Sequence, residues 1–266
     1  MRRKPTKRGD RLPAYILIPL ISGMATALGG VFSSLCGGPG QKGLSLMLGA
    51  AAGIGFTIVF IDLLPAAVQI GSFSAAAAGF VCGILLGRMV DVLLPHLHVS
   101  GLCPTCSCTK EPIAGSPFPA GAGLLKTAYL LGLGMALHNL PEGLAIGAGL
   151  EADEKLGIML ALAIGIHNIP EGMALAGLLR AAGQCHYKSV LTTAAAGLFI
   201  PAGAIIGQHF AVAPYSISAM LAVGAGALLY VVWSELIPES CKMHSFFSRL
   251  GIAAGFLLSV FISISC

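Results

Sequence analysis

Long apolar runs recur along this chain with almost no charge inside them, and that pattern fixes the solvent the fold must live in. A helix crossing a bilayer needs about 20 predominantly apolar residues. Eight such runs are present, at about 14–35, 44–68, 73–94, 124–149, 156–179, 189–209, 215–236 and 246–265. Of 266 residues only 10% are charged and 56% are apolar, against about 25% charged in an ordinary soluble domain. So few charges cannot cover a soluble protein of this size. A secreted disulfide scaffold, a disordered chain and a cytosolic enzyme are disfavoured. The sequence predicts an all-α membrane protein with eight transmembrane helices. Gly and Ala are abundant in every run, which suits close helix packing in lipid. The same small residues serve packing within one chain or a homodimer equally well.

Residues 1–13 read as a basic N-terminal tail and 14–266 as a single transmembrane domain with one long loop at about 95–123. Six of the fifteen Lys and Arg residues lie in the tail: Arg2, Arg3, Lys4, Lys7, Arg8 and Arg11. Next to a membrane span such a flank acts on lipid or topology, and no nucleic-acid partner is expected. The apolar run after it is as long as a full span and is not followed by a small-residue cleavage site, so it reads as a retained first helix. The loops after odd-numbered runs carry Lys42, Lys110, Lys126, Arg180, Lys188, Lys242 and Arg249; those after even-numbered runs carry only Lys155. That bias places the odd loops in the cytoplasm, while the basic tail argues the opposite.

An ionisable group inside a span costs about 2.5–3.5 kcal/mol on the insertion scale, so its presence asks for a function. Asp62, Asp91, Glu142, Glu171 and Glu235 fall inside runs, and Glu239 closes one. Two segments repeat 29 residues apart: His138-Asn139-Leu140-Pro141-Glu142-Gly143 and His167-Asn168-Ile169-Pro170-Glu171-Gly172. In each, His and Glu are four apart and share one helical face. Each proline removes a backbone donor and is expected to break its helix near Leu137 or Ile166, freeing a carbonyl as a further oxygen ligand. A single buried His–Glu pair is often no more than a hydrogen-bonded pair. Two copies on adjacent spans form a set of two imidazoles and two carboxylates. That set suits a borderline divalent cation, and its two carboxylates cancel the +2 charge in a low-dielectric setting.

The doubled segment resembles spans four and five of the ZIP family of divalent-metal transporters, especially its GufA-like bacterial branch. Phe60-Ile61-Asp62-Leu63-Leu64-Pro65-Ala66 resembles the end of that family's span two. The stretch from Gly83 to His98 resembles its span three and exit, and Leu229 to Glu239 its span seven. The resemblance therefore extends over most of the chain. It implies a bundle with inverted repeats and metal flux toward the cytoplasm, of Zn2+ most often and of Cd2+, Fe2+ or Mn2+ in some members. It implies a central site on His138, Glu142, His167 and Glu171, and a second, adjacent site shared by Asn139, Asn168, Glu142 and Glu171. Two positions depart from the branch. Ile200 stands before Pro201 where a Glu is common, and Gly55 stands where relatives often have Met. These departures predict one strong site, with its neighbour weak or absent.

Other residues leave alternatives open. His96, His98, Cys103, Cys106 and Cys108 cluster in the long loop, where three thiols and a His would make a tetrahedral zinc site; a solvated loop of reduced thiols is the other reading. Asp62 is a ligand along the pathway or the partner of a helix end. Glu235 and Glu239 form a relay at one mouth or a solvated helix end. Asp91 is expected to pair with Arg88. No phosphate-binding loop is present, and no organic cofactor is expected. The leading expectation is a carrier for divalent metal in a bacterial cytoplasmic membrane. An intramembrane metalloenzyme or a metal sensor is the alternative. A catalytic zinc site keeps an open position beside a general base; no separate base is evident, and duplication fits a path between inverted halves better.

Overall fold

In hydrocarbon the backbone must satisfy its own hydrogen bonds, which a helix does locally. The computed structural model describes residues 8–36, 40–94 and 120–265. Arg2, Arg3, Lys4 and Lys7 of the tail and His96, His98, Cys103, Cys106 and Cys108 of the loop lie outside them. Every regular element among the described residues is helical: α1 (Arg8–Cys36), α2 (Gln41–Thr57), α3 (Leu64–Ile70), α4 (Phe73–Leu93), α5 (Ala120–Ala152), α6 (Glu154–Ala181), α7 (His186–Gly197), α8 (Phe199–Phe210), α9 (Pro214–Val231) and α10 (Ile237–Ser265).

Helix ends follow local chemistry. Ser72 accepts the Ala75 N–H at the start of α4, and Asp153 accepts from Lys155 and Leu156 at the start of α6. The chain leaves α6 through Gly183, whose φ of 85° favours a residue without Cβ.

Two π-helical turns join helices into longer rods: Ile58–Leu63 between α2 and α3, and Val232–Leu236 between α9 and α10. Each precedes a proline, Pro65 or Pro238. A proline cannot donate to the carbonyl four residues back, and its ring crowds that carbonyl, so the ladder widens by one residue. The Leu64 N–H accordingly bonds the Val59 carbonyl, and the Ile237 N–H the Val232 carbonyl. One acid sits in each turn, Asp62 and Glu235.

Among the described residues, six stretches are long and apolar enough to cross a membrane: Tyr15–Leu35, Gln41–Ile70, Phe73–Leu93, Glu154–Ala181, His186–Phe210 and Pro214–Ser265. α5, at 33 residues, is not among them; it carries the polar segment from His138 to Gly143. The last stretch is 52 residues long and holds one non-helical residue, His244 (φ −164°, ψ 101°), which kinks α10. Ser45 Oγ lies 2.8 Å from both the Ser240 and the His244 carbonyl oxygens, covering carbonyls at that kink.

The closest partnerships are α1 with α6, α5 with α8, α2 with α10, and α4 with α9. Glycines let these backbones approach. A Cβ on Gly143 would strike the Ile200 carbonyl, and one on Gly203 the Leu140 carbonyl. Gly53 against Ile252 and Gly251 against Leu46 close α2 on α10 in the same way. These glycines serve packing within the chain. α5 and α6 lie at the centre, touching each other, α9 and α2. The core includes Ile58, Leu63, Ile146, Leu160 and Ile164, while Phe32, Leu85, Val92, Trp233 and Phe261 face outward, as lipid-facing positions require.

Candidate metal centre

α5 and α6 each present an imidazole and a carboxylate one turn apart, and their contact brings the two pairs together. His138 Nε2 is 3.1 Å from Glu142 Oε1, which is 3.6 Å from His167 Nε2; that nitrogen is 3.2 Å from Glu171 Oε1. All four side chains are buried. Neither helix is broken. Both continue through Pro141 and Pro170, contrary to the expectation from sequence, because each proline costs one hydrogen bond and the flanking turns hold the axis.

A second layer orients these groups. His167 Nδ1 lies 2.8 Å from the carbonyl oxygen of Ala51 on α2. A carbonyl only accepts, so Nδ1 carries the hydrogen and, in the neutral ring, Nε2 presents its lone pair to the centre. Asn168 Nδ2 donates to Glu142 Oε2 at 3.1 Å. Asn139 Nδ2 donates to the Ala196 carbonyl at 2.9 Å, beside the break between α7 and α8. Gly55 leaves room for the His167 ring: a Cβ there would be 2.7 Å from Val232 Cγ2 and 3.3 Å from His167 Cε1.

Asn139 Oδ1 and Asn168 Oδ1 are buried without a hydrogen-bond partner, and His138 Nε2, Glu142 Oε1 and His167 Nε2 are buried facing only one another and Glu171 Oε1. Leaving a buried polar atom unmet costs about 1–3 kcal/mol, so the cluster is built for a guest. The ligand atoms of His138, Glu142 and His167 all lie within 4.8 Å of one another. Nitrogen and oxygen donors sit about 2.0–2.2 Å from zinc. Around a tetrahedral ion that bond length separates neighbouring donors by about 3.4 Å, matching the observed 3.1, 3.6 and 3.2 Å spacings. The donor set fits a divalent cation. Ile200 is fully buried and apolar, and Gly55 has no side chain, so neither position offers a side-chain ligand.

A cavity of about 680 Å³ leads away from the centre. Its lining includes His138, Pro141 and Glu171 from α5 and α6, and Glu235, Glu239 and Lys242 from around the start of α10. Glu239 Oε2 is 3.9 Å from Lys242 Nζ. Asp91 has its expected partner, Arg88, at 3.9 Å, and also accepts the Tyr230 hydroxyl. Asp62 is not brought to the cavity; it accepts from the Ser263 hydroxyl at 3.2 Å, in the last turns of α10. Sequence reasoning missed Ala51 and Tyr230. The first acts through its carbonyl and carries no signal in the sequence. The second sits at an apolar-run position where a tyrosine reads as packing.

The profile of the family described as "ZIP Zinc transporter" matches residues 107–263. The chain is 33% identical over 228 residues to the zinc transporter ZupT of Salmonella arizonae, covering 84% of this chain and 85% of that protein. It is 32% identical over the same length to the zinc transporters ZupT of Salmonella newport and Salmonella heidelberg, with the same coverage.

Proposed function

This chain belongs to the ZIP zinc transporter family, and from that premise we propose that zinc passes through the centre formed by His138, Glu142, His167 and Glu171. The protein is an integral, multi-pass membrane protein that transports divalent metal; it is not an enzyme. The observation that carries the proposal is the convergence of three buried donor atoms, from His138, Glu142 and His167, at metal-ligand spacing. Zinc as the cargo is supported by the names of the relatives and by the mixed imidazole and carboxylate set. Cd2+, Fe2+ and Mn2+ are cargoes the same donors tolerate. Ile200 and Gly55 support a single strong site, with Asn139 and Asn168 holding its surroundings.

Eight spans are our reading of the helices. α5 supplies one that its polar centre disguises, and the kink at His244 divides Pro214–Ser265 into two. Inverted repeats are supported by the pairings: α1 on α6 answers α8 on α5, and α2 on α10 answers α9 on α4. The two π-turns before Pro65 and Pro238 correspond under the same exchange. Flux toward the cytoplasm is supported by the cavity, which reaches Lys242 and the end of α4, the side where positive loop residues collect. Glu235 and Glu239 then stand along the exit. The bilayer is taken as a bacterial cytoplasmic membrane, in keeping with the Salmonella relatives. A homodimer gains no support from the glycines named above, which face inward.

Uptake of Zn2+, Cd2+, Fe2+ and Mn2+ into proteoliposomes, each alone and in competition, tests the cargo. Zinc is expected to enter and to compete with the others. Entry of Fe2+ or Mn2+ undiminished by excess zinc would overturn the assignment.

A further inference from the structure

We propose that a groove on the lipid-facing surface between α2 and α10 is a binding site for an anionic glycerophospholipid, with an acyl chain along the groove and the phosphate on Arg249. The groove holds about 550 Å³. Gly53 and Phe56 from α2 and Ile252, Ala253, Phe256 and Leu257 from α10 line it. Side-chain size creates it. A Cβ on Gly53 would strike the Ile252 carbonyl, so the two backbones touch there. The missing side chain of Gly53 and the short one of Ala253 then leave a trough among Phe56, Phe256 and Leu257. Phe56, Ala253, Phe256 and Leu257 are exposed. Inside hydrocarbon an acyl chain fills such a trough, because water there finds no polar partner.

Length and charge select the lipid. Along the second part of α10 the lining runs from Arg249 to Leu257, about 12 Å of helix at 1.5 Å per residue. The hydrocarbon of one leaflet is about 15 Å deep, half of the bilayer core. The groove therefore matches one acyl chain within a leaflet, with a guanidinium at its interfacial end. Arg249 Nε donates to the Ser245 carbonyl at 3.1 Å. No acid among the described residues lies within ion-pair distance of Arg249. Its outer nitrogens are thus left for a phosphate, whose oxygens that planar fork meets two at a time. Lys42, 5.9 Å from the centre of the Phe247 ring, adds positive charge at the same end of the α2–α10 pair. Both cations stand on the side where the positive loop residues collect. A zwitterionic lipid fills the trough equally well but brings its own cation toward Arg249 and Lys42, whereas an anionic headgroup is drawn to both.

Lipid retention tests this apart from metal flux. Purified full-length protein in detergent is titrated with phosphatidylglycerol or with phosphatidylcholine of the same acyl chains, and bound lipid is counted by native mass spectrometry. Wild type is expected to retain phosphatidylglycerol about fivefold better than phosphatidylcholine, and to gain in melting temperature from the former. Arg249→Gln is expected to lose that preference, since one basic residue at an anionic surface is worth about fivefold in affinity. Arg249→Lys is expected to keep part of it. Ala253→Trp fills the trough and is expected to weaken retention of both lipids severalfold. Lys188→Gln, an exposed basic residue on α7, is expected to leave retention unchanged. Arg249→Gln alters an exposed side chain and keeps the test decisive if Ala253→Trp does not fold. Equal retention of the two lipids by wild type, or a preference that survives in Arg249→Gln, overturns the proposal. So does a folded Ala253→Trp that retains phosphatidylglycerol as wild type does, or one that loses only self-association on gel filtration, which would assign the groove to a second copy of the chain.

Discussion

The carbonyl oxygen of Ala51, on α2, lies 2.8 Å from Nδ1 of His167, on α6, and so leaves Nε2 of that ring to face Glu142 and Glu171. Ligating histidines are commonly fixed through their second nitrogen, and losing such a partner typically costs 10–100-fold in metal affinity. A backbone carbonyl cannot be deleted, but the ring can be moved. Gly55→Ala places a Cβ against Val232 and close to the His167 ring. Zinc affinity, measured by chelator competition on purified protein, is expected to fall about 10–100-fold. An unchanged affinity would show that the ring tolerates displacement.

The two asparagines of the paired motifs should behave differently. Asn168 donates to Glu142 itself, while Asn139 donates to the Ala196 carbonyl. Asn168→Ala is expected to lower zinc affinity about tenfold. Asn139→Ala is expected to lower thermal stability, by about 1–3 kcal/mol, with a smaller change in affinity. Comparing melting curves and chelator titrations of the two variants distinguishes these outcomes. Equal effects on both readouts would contradict the division of roles.

Much of this centre is legible in the sequence, and the illegible part has a physical cause. The His138–Glu142 and His167–Glu171 pairs announce themselves by spacing, because side-chain ligands on one helical face recur every four residues. The partner of His167 does not, because any residue at position 51 supplies a carbonyl. Pro141 and Pro170 point to broken helices, yet both helices run on, since one lost hydrogen bond is small beside the packing of α5 on α8 and of α6 on α1. Pro65 and Pro238 produce π-turns instead, and no rule applied to the sequence separates the two outcomes. Asp62 shows the limit of reading charge alone: its placement inside an apolar run is evident, and its partner, Ser263, lies 201 positions away.

Metal stoichiometry tests the two departures at Ile200 and Gly55. Purified protein is expected to bind one zinc tightly. Ile200→Glu places an acid at a buried position whose backbone carbonyl faces Gly143, the residue after Glu142, and is expected to raise the count toward two at high zinc, read by elemental analysis after gel filtration. Two zinc ions in wild type would refute the single-site reading.

Gly143 and Gly203 sit on facing helices, each where a Cβ would meet the partner's carbonyl. Overpacking a tight interface costs about 1–3 kcal/mol for small additions. Gly143→Ala and Gly203→Ala are each expected to lower the melting temperature and, by shifting α5 relative to α8, to weaken zinc binding. A melting temperature equal to wild type in both variants would show that the α5–α8 contact accommodates an added methyl group.

The central claim is that metal crosses the membrane through the paired motifs. Zinc uptake by proteoliposomes containing wild type, Glu142→Ala or His167→Ala tests it most directly, with each variant first shown to be folded by gel filtration and a melting curve. Wild type is expected to accumulate zinc, and both folded variants to fall to the level of empty liposomes. Uptake that persists in either folded variant would place the path elsewhere and contradict the account.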